Sequence, residues 1–535
     1  MDYPKEIGGL RWRKTSSLKP INVGEANARK ERGEEEEEEL LSPAARLFHE
    51  PNFNVYIIAI LGCKTRIDPD LVRAKLPHTL LKHPRFSSLQ VPVEGGKEEK
   101  QLKWVPSAVN LDNHVIVPPE IDQSTFAGDA DAGKKFVEDY ISDLTKTKID
   151  GSKQPLWDLH LLNVRTSEPD AEAVGVFRIH HSLGDGVSLT SLLLACTRQI
   201  ADPDALPTIP TPRKKKEEGL LAGRGRNGGV LGRGFWRAVV AVWTAAVLMW
   251  NTAVDVAAFL LTAIWVEDTK TPLKGPHGVE FLPRRFVWKS MSLDDFKLVK
   301  NAMNATINDV ALGATQAGLS RYLNRKYVNA GGSENDGEQN NSLPAGSIRL
   351  RSTLLVNVRP GPGIQAMADM MEKDTEVKWG NWIGFILLPF TIGIRDDPLD
   401  YVRQAKAVVD RKKRSLEALF TFSIAEFVLK LFGTRRSNAL SHRIITRTTL
   451  CFTNLVGPLE EIGYYGHPLA FLAPSSFNQP HGLMINFQSC VDKMTVVLSV
   501  DESTIPDPHQ LCDDIVHSLE LIKNAVISSH GLSQS

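Results

Sequence analysis

Two adjacent histidines followed by an aspartate and a glycine form the segment best suited to proton chemistry. The segment is HHSLGDG at 180–186, and it continues directly from an apolar run at 174–179 that is typical of a β-strand. Because side chains alternate faces along a strand, only one of the two histidines can point into a given cavity. Asp185 and Gly186 then turn the chain into a predicted helix, and Gly186 permits a tight turn or a close backbone approach.

This pattern suits a general base that acts on an alcohol. A histidine has an ordinary pKa of about 6.5, so it is largely neutral at pH 7 and can accept a proton. An alcohol is a poor nucleophile until it loses its proton, whereas a thioester is already activated. One base therefore suffices, and no acyl-enzyme need form. Asp185 follows too closely to be assumed a charge partner, and we expect it to hold the loop through hydrogen bonds or a buried ion pair.

Two other readings of the histidine pair stay open at this point. Two histidines and a nearby aspartate could bind a metal ion, although no further ligand cluster is evident in the sequence. The pair could also be purely structural, which would be the better reading of two histidines alone. The complete HHxxxDG pattern between a strand and a helix favours proton chemistry.

Strands and helices alternate along the chain, which predicts a mixed α/β or α+β fold. Apolar runs predict strands at 55–61, 157–164, 173–180, 349–358, 384–391, 449–456, 481–488 and 494–501. Helical spacing predicts helices at 68–83, 132–147, 187–200, 307–326, 398–432 and 508–527.

The length of 535 residues suggests two or three domains. We predict a disordered acidic leader over 1–41, containing six consecutive glutamates at 34–39, and an N-terminal domain over 42–200. Residues 201–279 should form a linker, with prolines and a basic stretch up to 234 and an apolar segment over 238–266. A C-terminal domain over 280–530 is expected to carry a disordered loop at 329–346.

Composition excludes several classes of protein. Lysines plus arginines and aspartates plus glutamates both total 63, which argues against a dedicated nucleic-acid binder. The five cysteines are scattered without a CxxC pair, so a disulfide framework or structural zinc site is not expected and the catalytic domains should fold in a reducing compartment. No apolar run follows Met1, so we expect no signal peptide.

HHxxxDG resembles the signature of the CoA-dependent acyltransferase superfamily. Within that superfamily, the sequence resembles the plant branch of the wax ester synthase/diacylglycerol acyltransferase family. The alcohol acyltransferase branch carries a further DFGWG signature that this sequence lacks, and condensation domains normally lie in much longer chains. The supporting motifs are LSPAARLF at 41–48, HPRF at 83–86, PLW at 155–157, NDV at 308–310, NVRP at 357–360, GNWIG at 380–384 and TNLVGP at 453–458.

The resemblance implies two chloramphenicol-acetyltransferase-like domains with an active-site tunnel between them. It makes the second histidine, His181, the base, with His180, Asp185 and Gly186 completing the motif. The donor would be a long-chain acyl-CoA, used as a co-substrate without any cofactor or metal. The acceptor would be a fatty alcohol, which gives a wax ester, or diacylglycerol, which gives triacylglycerol. A small or isoprenoid alcohol acceptor, or an idle member that binds lipid or protein, are the alternatives.

The second half of the sequence offers further candidate site residues. Thr306 and Asp309 fit a capping box, which leaves Asn308 unexplained; the resemblance places it near the active site, where it could donate a hydrogen bond to an oxyanion. The other candidates for substrate binding lie at predicted strand ends or in the GNWIG motif, where Gly384 could allow close approach of a substrate chain. They are Asn357, Arg359, Asn381, Gly384 and Asn454.

The apolar segment at 238–266 is long enough to cross a membrane if its polar groups were tolerated, since a span needs about 20 residues. However, a crossing helix would put the HHxxxDG motif and the second-half motifs on opposite sides of the bilayer. Its polar residues fall on one narrow helical stripe: Arg237, Thr244, Asn251, Asp255 and Thr262.

We therefore expect a helix or helical hairpin that dips into one leaflet, with the basic residues between 213 and 237 facing anionic headgroups. A buried core helix is the alternative. The expected location is the endoplasmic reticulum membrane, with the cell membrane as a second location and the catalytic domains in the cytosol. The oligomeric state is not predicted.

Overall fold

A computed structural model describes residues 39–93, 101–118, 129–210, 230–330, 348–358, 363–373, 375 and 379–530. The predicted leader up to residue 38, the linker over 211–229 and the predicted disordered loop from 331 onward lie outside these residues. The last residues of the predicted leader are described, and of these Leu40 bridges Lys103 and Leu41 is buried.

Seven strands form the first sheet, in the order β4-β5-β6-β1-β13-β12-β7. Their bounds are β1 Tyr56–Cys63, β4 Val115–Ile116, β5 Trp157–Leu162, β6 Ala173–His180, β7 Thr197–Gln199, β12 Ile462–Tyr464 and β13 His467–Phe477. A separate hairpin pairs β2 Ser88–Pro92 with β3 Leu102–Pro106. All of β5 and β6 is buried, including Asp158 and Arg178, which form an ion pair with each other.

Six strands form the second sheet, in the order β10-β9-β11-β14-β15-β8. Their bounds are β8 Arg285–Ser292, β9 Leu350–Asn357, β10 Ile383–Phe390, β11 Leu450–Leu455, β14 Leu483–Cys490 and β15 Lys493–Val500. The central pair of β11 and β14 is parallel, while β14 and β15 are antiparallel neighbours along the chain. The sheet is therefore mixed, and the mixed α/β class is confirmed.

Helices cover both sheets. Those of the first half are α1 Pro43–Leu47, α2 Pro69–Lys75, α3 Ala130–Thr145, α4 Gly186–Ala195 and α5 Val230–Ile264. Those of the second half are α6 Leu293–Ala302, α7 Ile307–Ala330, α8 Ile364–Lys373, α9 Leu399–Lys412, α10 Glu417–Ile445 and α11 Pro508–His530. Gly433 interrupts α10 with φ 75° and ψ 178°, so that helix consists of two segments that meet at a kink.

The two halves of the chain interlock. Strands β12 and β13 come from the second half of the sequence but lie in the first sheet, where β13 pairs antiparallel with β1. The next strand, β14, lies in the second sheet, and Ser475 of β13 donates a 2.6 Å hydrogen bond to Asn486 of β14. The two sheets therefore meet at β13 and β14. Residues of both sheets line a cavity between them.

Several predicted elements change length. The helix expected at 68–83 stops at Lys75 and continues as single 3₁₀ turns, because Pro77 and Pro84 have no N–H to donate. The helix expected at 398–432 is two helices, α9 and α10. The helix expected at 187–200 ends at Ala195, and the residues after it form strand β7.

The apolar segment forms one continuous helix, α5, rather than a hairpin. Within the described residues it is the one helix long and apolar enough to cross a membrane, over Trp236–Ile264, and only 17% of its most apolar stretch is buried. The buried-core alternative is therefore wrong: Trp243 and Trp250 are 70% and 71% exposed, whereas Asp255 is buried. In its C-terminal half, the polar residues Asp255 and Thr262 are buried, whereas Arg237 and Thr244 are exposed together with the tryptophans.

Polar groups attach α5 to the second half of the chain. Asn251 donates to the backbone carbonyl of Arg414 over 3.1 Å. Asp255 pairs with Arg411 at 2.8 Å and Lys412 at 2.9 Å, and Lys412 also pairs with Glu417 at 2.6 Å. The C-terminal half of the predicted polar stripe thus packs against the protein.

Candidate active site

His181 lies at the junction of two cavities between the sheets. The larger cavity has a volume of about 340 Å³ and the smaller one about 130 Å³, and the histidine lines both. The strand β6 carries it there: His180 is the last residue of β6, paired with Tyr56 of β1, and His181 opens the 3₁₀ turn that follows. A base at this position can therefore reach groups held in either cavity.

The structure separates the two histidines, as strand alternation predicts. His180 lines neither cavity, and both of its ring nitrogens are engaged by the protein: Nδ1 lies 2.7 Å from Ser182 Oγ, and Nε2 lies 2.9 Å from Asn54 Oδ1. Burial holds the pKa of His180 well below its usual value. His180 therefore lies outside the lining of both cavities, and its hydrogen bonds hold the ring at the end of β6.

Separate contacts hold the ring and the backbone of His181. The ring of Phe48, the residue after α1, stacks on the imidazole with a centroid separation of 4.2 Å, and the Asn381 side chain donates to the backbone carbonyl of His181 over 3.1 Å. Burial lowers the pKa of His181, an effect that its backbone, the charge of Asp185 and the Asn381 side chain partly oppose. A lowered pKa favours the neutral imidazole, which is the form that can accept a proton.

Asp185 holds the loop through hydrogen bonds, which is the first of its two expected roles. One carboxylate oxygen accepts from the backbone N–H of Ser188 over 2.8 Å and so caps α4. The other accepts from the backbone N–H of Trp382, in the second half of the chain, over 3.4 Å. The aspartate therefore joins the motif to the GNWIG segment.

The expected reason for a glycine at 186 is wrong. Gly186 has no left-handed backbone conformation, and a Cβ built there would meet no atom within 4 Å. It lines the larger cavity instead, so a side chain would project into open space. The close approach occurs two residues earlier, where a Cβ on Gly184 would lie 2.8 Å from the Trp379 ring.

Gly384 also differs from its expected role. It lines neither cavity, and a Cβ at this position would lie 2.2 Å from the backbone carbonyl oxygen of Ala418 in α10. The glycine therefore lets a helix, not a substrate chain, approach β10. Asn381, from the same motif, does line the smaller cavity.

Three asparagines line the larger cavity: Asn308, Asn357 and Asn454. The predicted capping box is present, because the Asp309 carboxylate accepts from the backbone N–H of Thr306 over 2.8 Å and the Thr306 hydroxyl accepts from the backbone N–H of Asp309 over 3.3 Å. Asn454 donates to the side-chain oxygen of Asn308, so these two side chains contact each other at the cavity wall.

Two remaining expectations concern Arg359 and a metal ion. Arg359 lies outside the residues that the structure describes. Within the described part of the chain, no three histidine, cysteine, aspartate or glutamate side chains are grouped so as to hold a metal ion.

The sequence did not indicate which residues orient the histidines. Phe48 belongs to the LSPAARLF motif, but nothing in its spacing places it on His181, 133 positions later along the chain. Gln90 donates to Ser182 over 2.9 Å and so supports the His180 contact. Both contacts depend on pairings between distant segments, which periodicity does not reveal.

Two family models together match most of the sequence. The wax ester synthase/diacylglycerol acyltransferase catalytic domain matches residues 70–311, and the WS/DGAT C-terminal domain matches residues 379–523. Wax ester synthase/diacylglycerol acyltransferase 6 of Arabidopsis thaliana is 46% identical over 514 residues, covering 94% of this chain and 97% of the relative. Wax ester synthase/diacylglycerol acyltransferase 11 of the same plant is 46% identical, covering 92% and 96%.

Solved structures share the fold. Wax ester synthase/diacylglycerol acyltransferase from Marinobacter aquaeolei VT8 superposes with a TM-score of 0.54 at 17% identity, covering 91% of this chain and 99% of that one. The first condensation domain of the calcium-dependent antibiotic synthetase gives a TM-score of 0.52 at 11% identity, covering 91% and 96%. The two-domain architecture is thus confirmed, and the chain is an acyltransferase that belongs to the wax ester synthase/diacylglycerol acyltransferase family.

Proposed function

We propose that this protein transfers a long-chain acyl group from acyl-CoA to a fatty alcohol or to diacylglycerol, with His181 as the general base. The observation that carries the proposal is the position of His181 between two cavities, because a direct transfer needs one base within reach of both substrates. Membership of the family supports the substrate classes.

The reaction balances without a covalent enzyme intermediate. His181 takes the proton of the alcohol as the alcohol oxygen attacks the thioester carbonyl carbon. The tetrahedral intermediate then collapses, the carbon–sulfur bond breaks, and the thiolate of CoA takes the proton back from His181. The products are an ester and free CoA, and the histidine returns to its neutral form.

The larger cavity suits the acyl chain. Its volume of about 340 Å³ falls in the range of ~300–1,000 Å³ common to small-molecule sites. Leu189, Leu192, Leu193 and Leu472 give it an apolar wall between α4 and the first sheet. We place the acyl chain against these leucines, and the thioester between His181 and the three asparagines.

Asn308 is the proposed donor to the oxyanion. Its side-chain oxygen already accepts from Asn454, so its amide N–H groups are not used in that contact, and the residue lines the cavity that would hold the thioester. A donor in this role is worth roughly 3 kcal/mol in other acyl-transfer enzymes.

The exposed apolar side of α5 supports binding of the protein to a membrane surface. We propose that this surface is the cytosolic face of the endoplasmic reticulum, with the cell membrane as a second location. Tryptophans at 236, 243 and 250 repeat every seven residues and so share one side of the helix. They are all exposed, as membrane-interface tryptophans would be. Attachment of α5 to α9 through Asp255 keeps both halves of the site on one side of the bilayer.

The test is expression in yeast that lacks neutral-lipid synthesis, fed with hexadecanol. We expect wax esters, triacylglycerol or both to accumulate with the wild-type protein and to be absent with His181→Ala. Ser423→Ala, an exposed position on α10, is the matched control. Neutral lipid formed equally by His181→Ala would contradict the proposal. Products formed only from short or isoprenoid alcohols would show that the acceptor is one of those alcohols and not a fatty alcohol or diacylglycerol.

A further inference from the structure

We propose that the contact between α5 and α10 is a lateral portal, through which a long-chain alcohol passes from the bilayer into the smaller cavity without crossing water. The portal deepens the proposed function and rests on it for the identity of the alcohol. Its walls are Phe259 and Ala263 of α5 and the residues of α10 that pack against them.

Two adjacent cavities lie between α5 and His181. The smaller cavity begins at His181 and ends at Phe385, Ala425, Ser441 and Ile445. A third cavity, of only about 20 Å³, shares those four residues and continues to Phe259 of α5. The four shared residues therefore form the wall between the cavity at the proposed base and the cavity at the helix that exposes tryptophans.

The side chains along this route match an alkyl chain. The smaller cavity exposes mainly apolar lining from Leu47, Phe53, Phe422 and Leu429. Long-chain alcohols are far more soluble in a bilayer than in water, since each buried methylene contributes about 0.8 kcal/mol. An alcohol that enters the protein directly from the hydrocarbon never exposes its chain to water. An alcohol that enters through water must first lose that stabilisation for each methylene.

The outer surface at the portal is apolar with a basic rim. Leu431 is 61% exposed on α10, beside the exposed Phe432, whose ring lies 5.8 Å from the Arg436 guanidinium. Trp265 is 71% exposed just after the end of α5. Apolar side chains flanked by arginines are the composition of surfaces that lie in the headgroup region of a membrane.

The portal is closed in this structure and has a hinge beside it. A neck of about 20 Å³ holds no more than a water molecule, so an alkyl chain passes only if α10 moves relative to α5. Residues of the neck come from both segments of α10: Thr421 and Ile424 precede the kink at Gly433, and Ser437 and Leu440 follow it. Glycine adopts the left-handed conformation there at little cost, so the kink can flex.

The first test narrows the neck. Leu440→Trp places a larger ring there, and Ser423→Trp adds the same ring to an exposed position on α10 that lines none of the three cavities. The measurement is the ratio of initial rates for hexadecanol in anionic phosphatidylcholine/phosphatidylserine vesicles and for 1-hexanol dissolved in buffer. We expect Leu440→Trp to lower this ratio about tenfold and Ser423→Trp to leave it within twofold. A ratio that Leu440→Trp does not change would overturn the portal.

The second test needs neither a variant nor turnover. Wild-type protein on the same vesicles is irradiated with a diazirine-labelled hexadecanol, and the adducts are mapped by peptide mass spectrometry. We expect adducts at Phe259 and within 420–445, competed by unlabelled hexadecanol. Adducts confined to residues of the larger cavity would overturn the portal even if ester synthesis depends on His181. Adducts at the portal without any ester synthesis would support the portal and contradict the proposed function.

Discussion

Asn381 donates a hydrogen bond to the backbone carbonyl of His181 over 3.1 Å, so the second half of the chain holds the histidine that the first half supplies. The contact spans 200 residues of sequence and lies beside the smaller cavity. Together with the Asp185–Trp382 hydrogen bond, it ties the histidine motif to the GNWIG segment at two points.

Asn381→Ala should therefore lower kcat by about tenfold, equivalent to about 1.4 kcal/mol of transition-state stabilisation. The KM for acyl-CoA should change little, because Asn381 lines the smaller cavity and not the larger one. Steady-state kinetics on purified protein measure both constants. Recovery of kcat by Asn381→Gln would point to the hydrogen bond, whereas a change in KM alone would contradict a positioning role.

The pH dependence of the reaction should report the buried state of His181. Burial lowers its pKa below 6.5, and the base acts when neutral, so kcat/KM should rise as pH increases through a value below 6.5 and stay level to about pH 8. Asp185→Asn should shift this acid limb to still lower pH, because the carboxylate charge raises the pKa of His181 and an asparagine can still cap α4. An acid limb centred above pH 6.5 would be inconsistent with a buried base.

The two glycines of the motif should respond differently to substitution. Gly186→Ala fills open space at the start of α4, so the free energy of unfolding should stay constant or rise by about 0.5 kcal/mol. Gly186→Phe should fold but lose activity with long-chain donors, because the ring projects into the larger cavity.

Gly184→Ala is the comparison, since its Cβ would lie 2.8 Å from the Trp379 ring and should destabilise the protein. Chemical denaturation and rates with acyl donors of increasing chain length separate the two effects. Equal loss of stability on substitution of Gly184 and of Gly186 would contradict a close contact at Gly184 and open space at Gly186.

Asp255 should control how firmly α5 is attached. Burial alone would raise its pKa, but Lys412 and Arg411 hold the pKa below its usual value, so the attachment is strongest above about pH 4 and weakens as pH falls. Asp255→Ala should cost about 2 kcal/mol, less than a fully broken buried pair because Lys412 keeps Glu417. Hydrogen exchange over 251–264 should become faster. Thr244→Ala, which removes a bond within α5 only, should leave exchange unchanged.

The sequence was sufficient where a signal is local. Strand β6, the capping box at Thr306 and Asp309, and the polar stripe of α5 follow from alternation, spacing and helical periodicity, and the structure shows each of them. The separation of His180 from His181 followed from the same alternation.

What the sequence did not reveal depends on contacts between distant segments. Strand β13 runs through both polar and apolar residues and carries Pro468 and Pro474, so it does not show the pattern of a central strand. Its place beside β1 became evident only from the pairing. For the same reason, Gly384 was assigned to the substrate tunnel, although the group it accommodates is the Ala418 carbonyl of a helix more than 30 residues away.

The central claim is that His181 removes the proton of the alcohol, and its most direct test is the rate of ester formation by purified His181→Ala on vesicles that contain hexadecanol. We predict a fall in kcat of about 10³-fold with unchanged circular dichroism and thermal unfolding, since general-base catalysis contributes roughly 10²–10⁴-fold. Ester formation at a rate within a few-fold of the wild-type rate would contradict the mechanism.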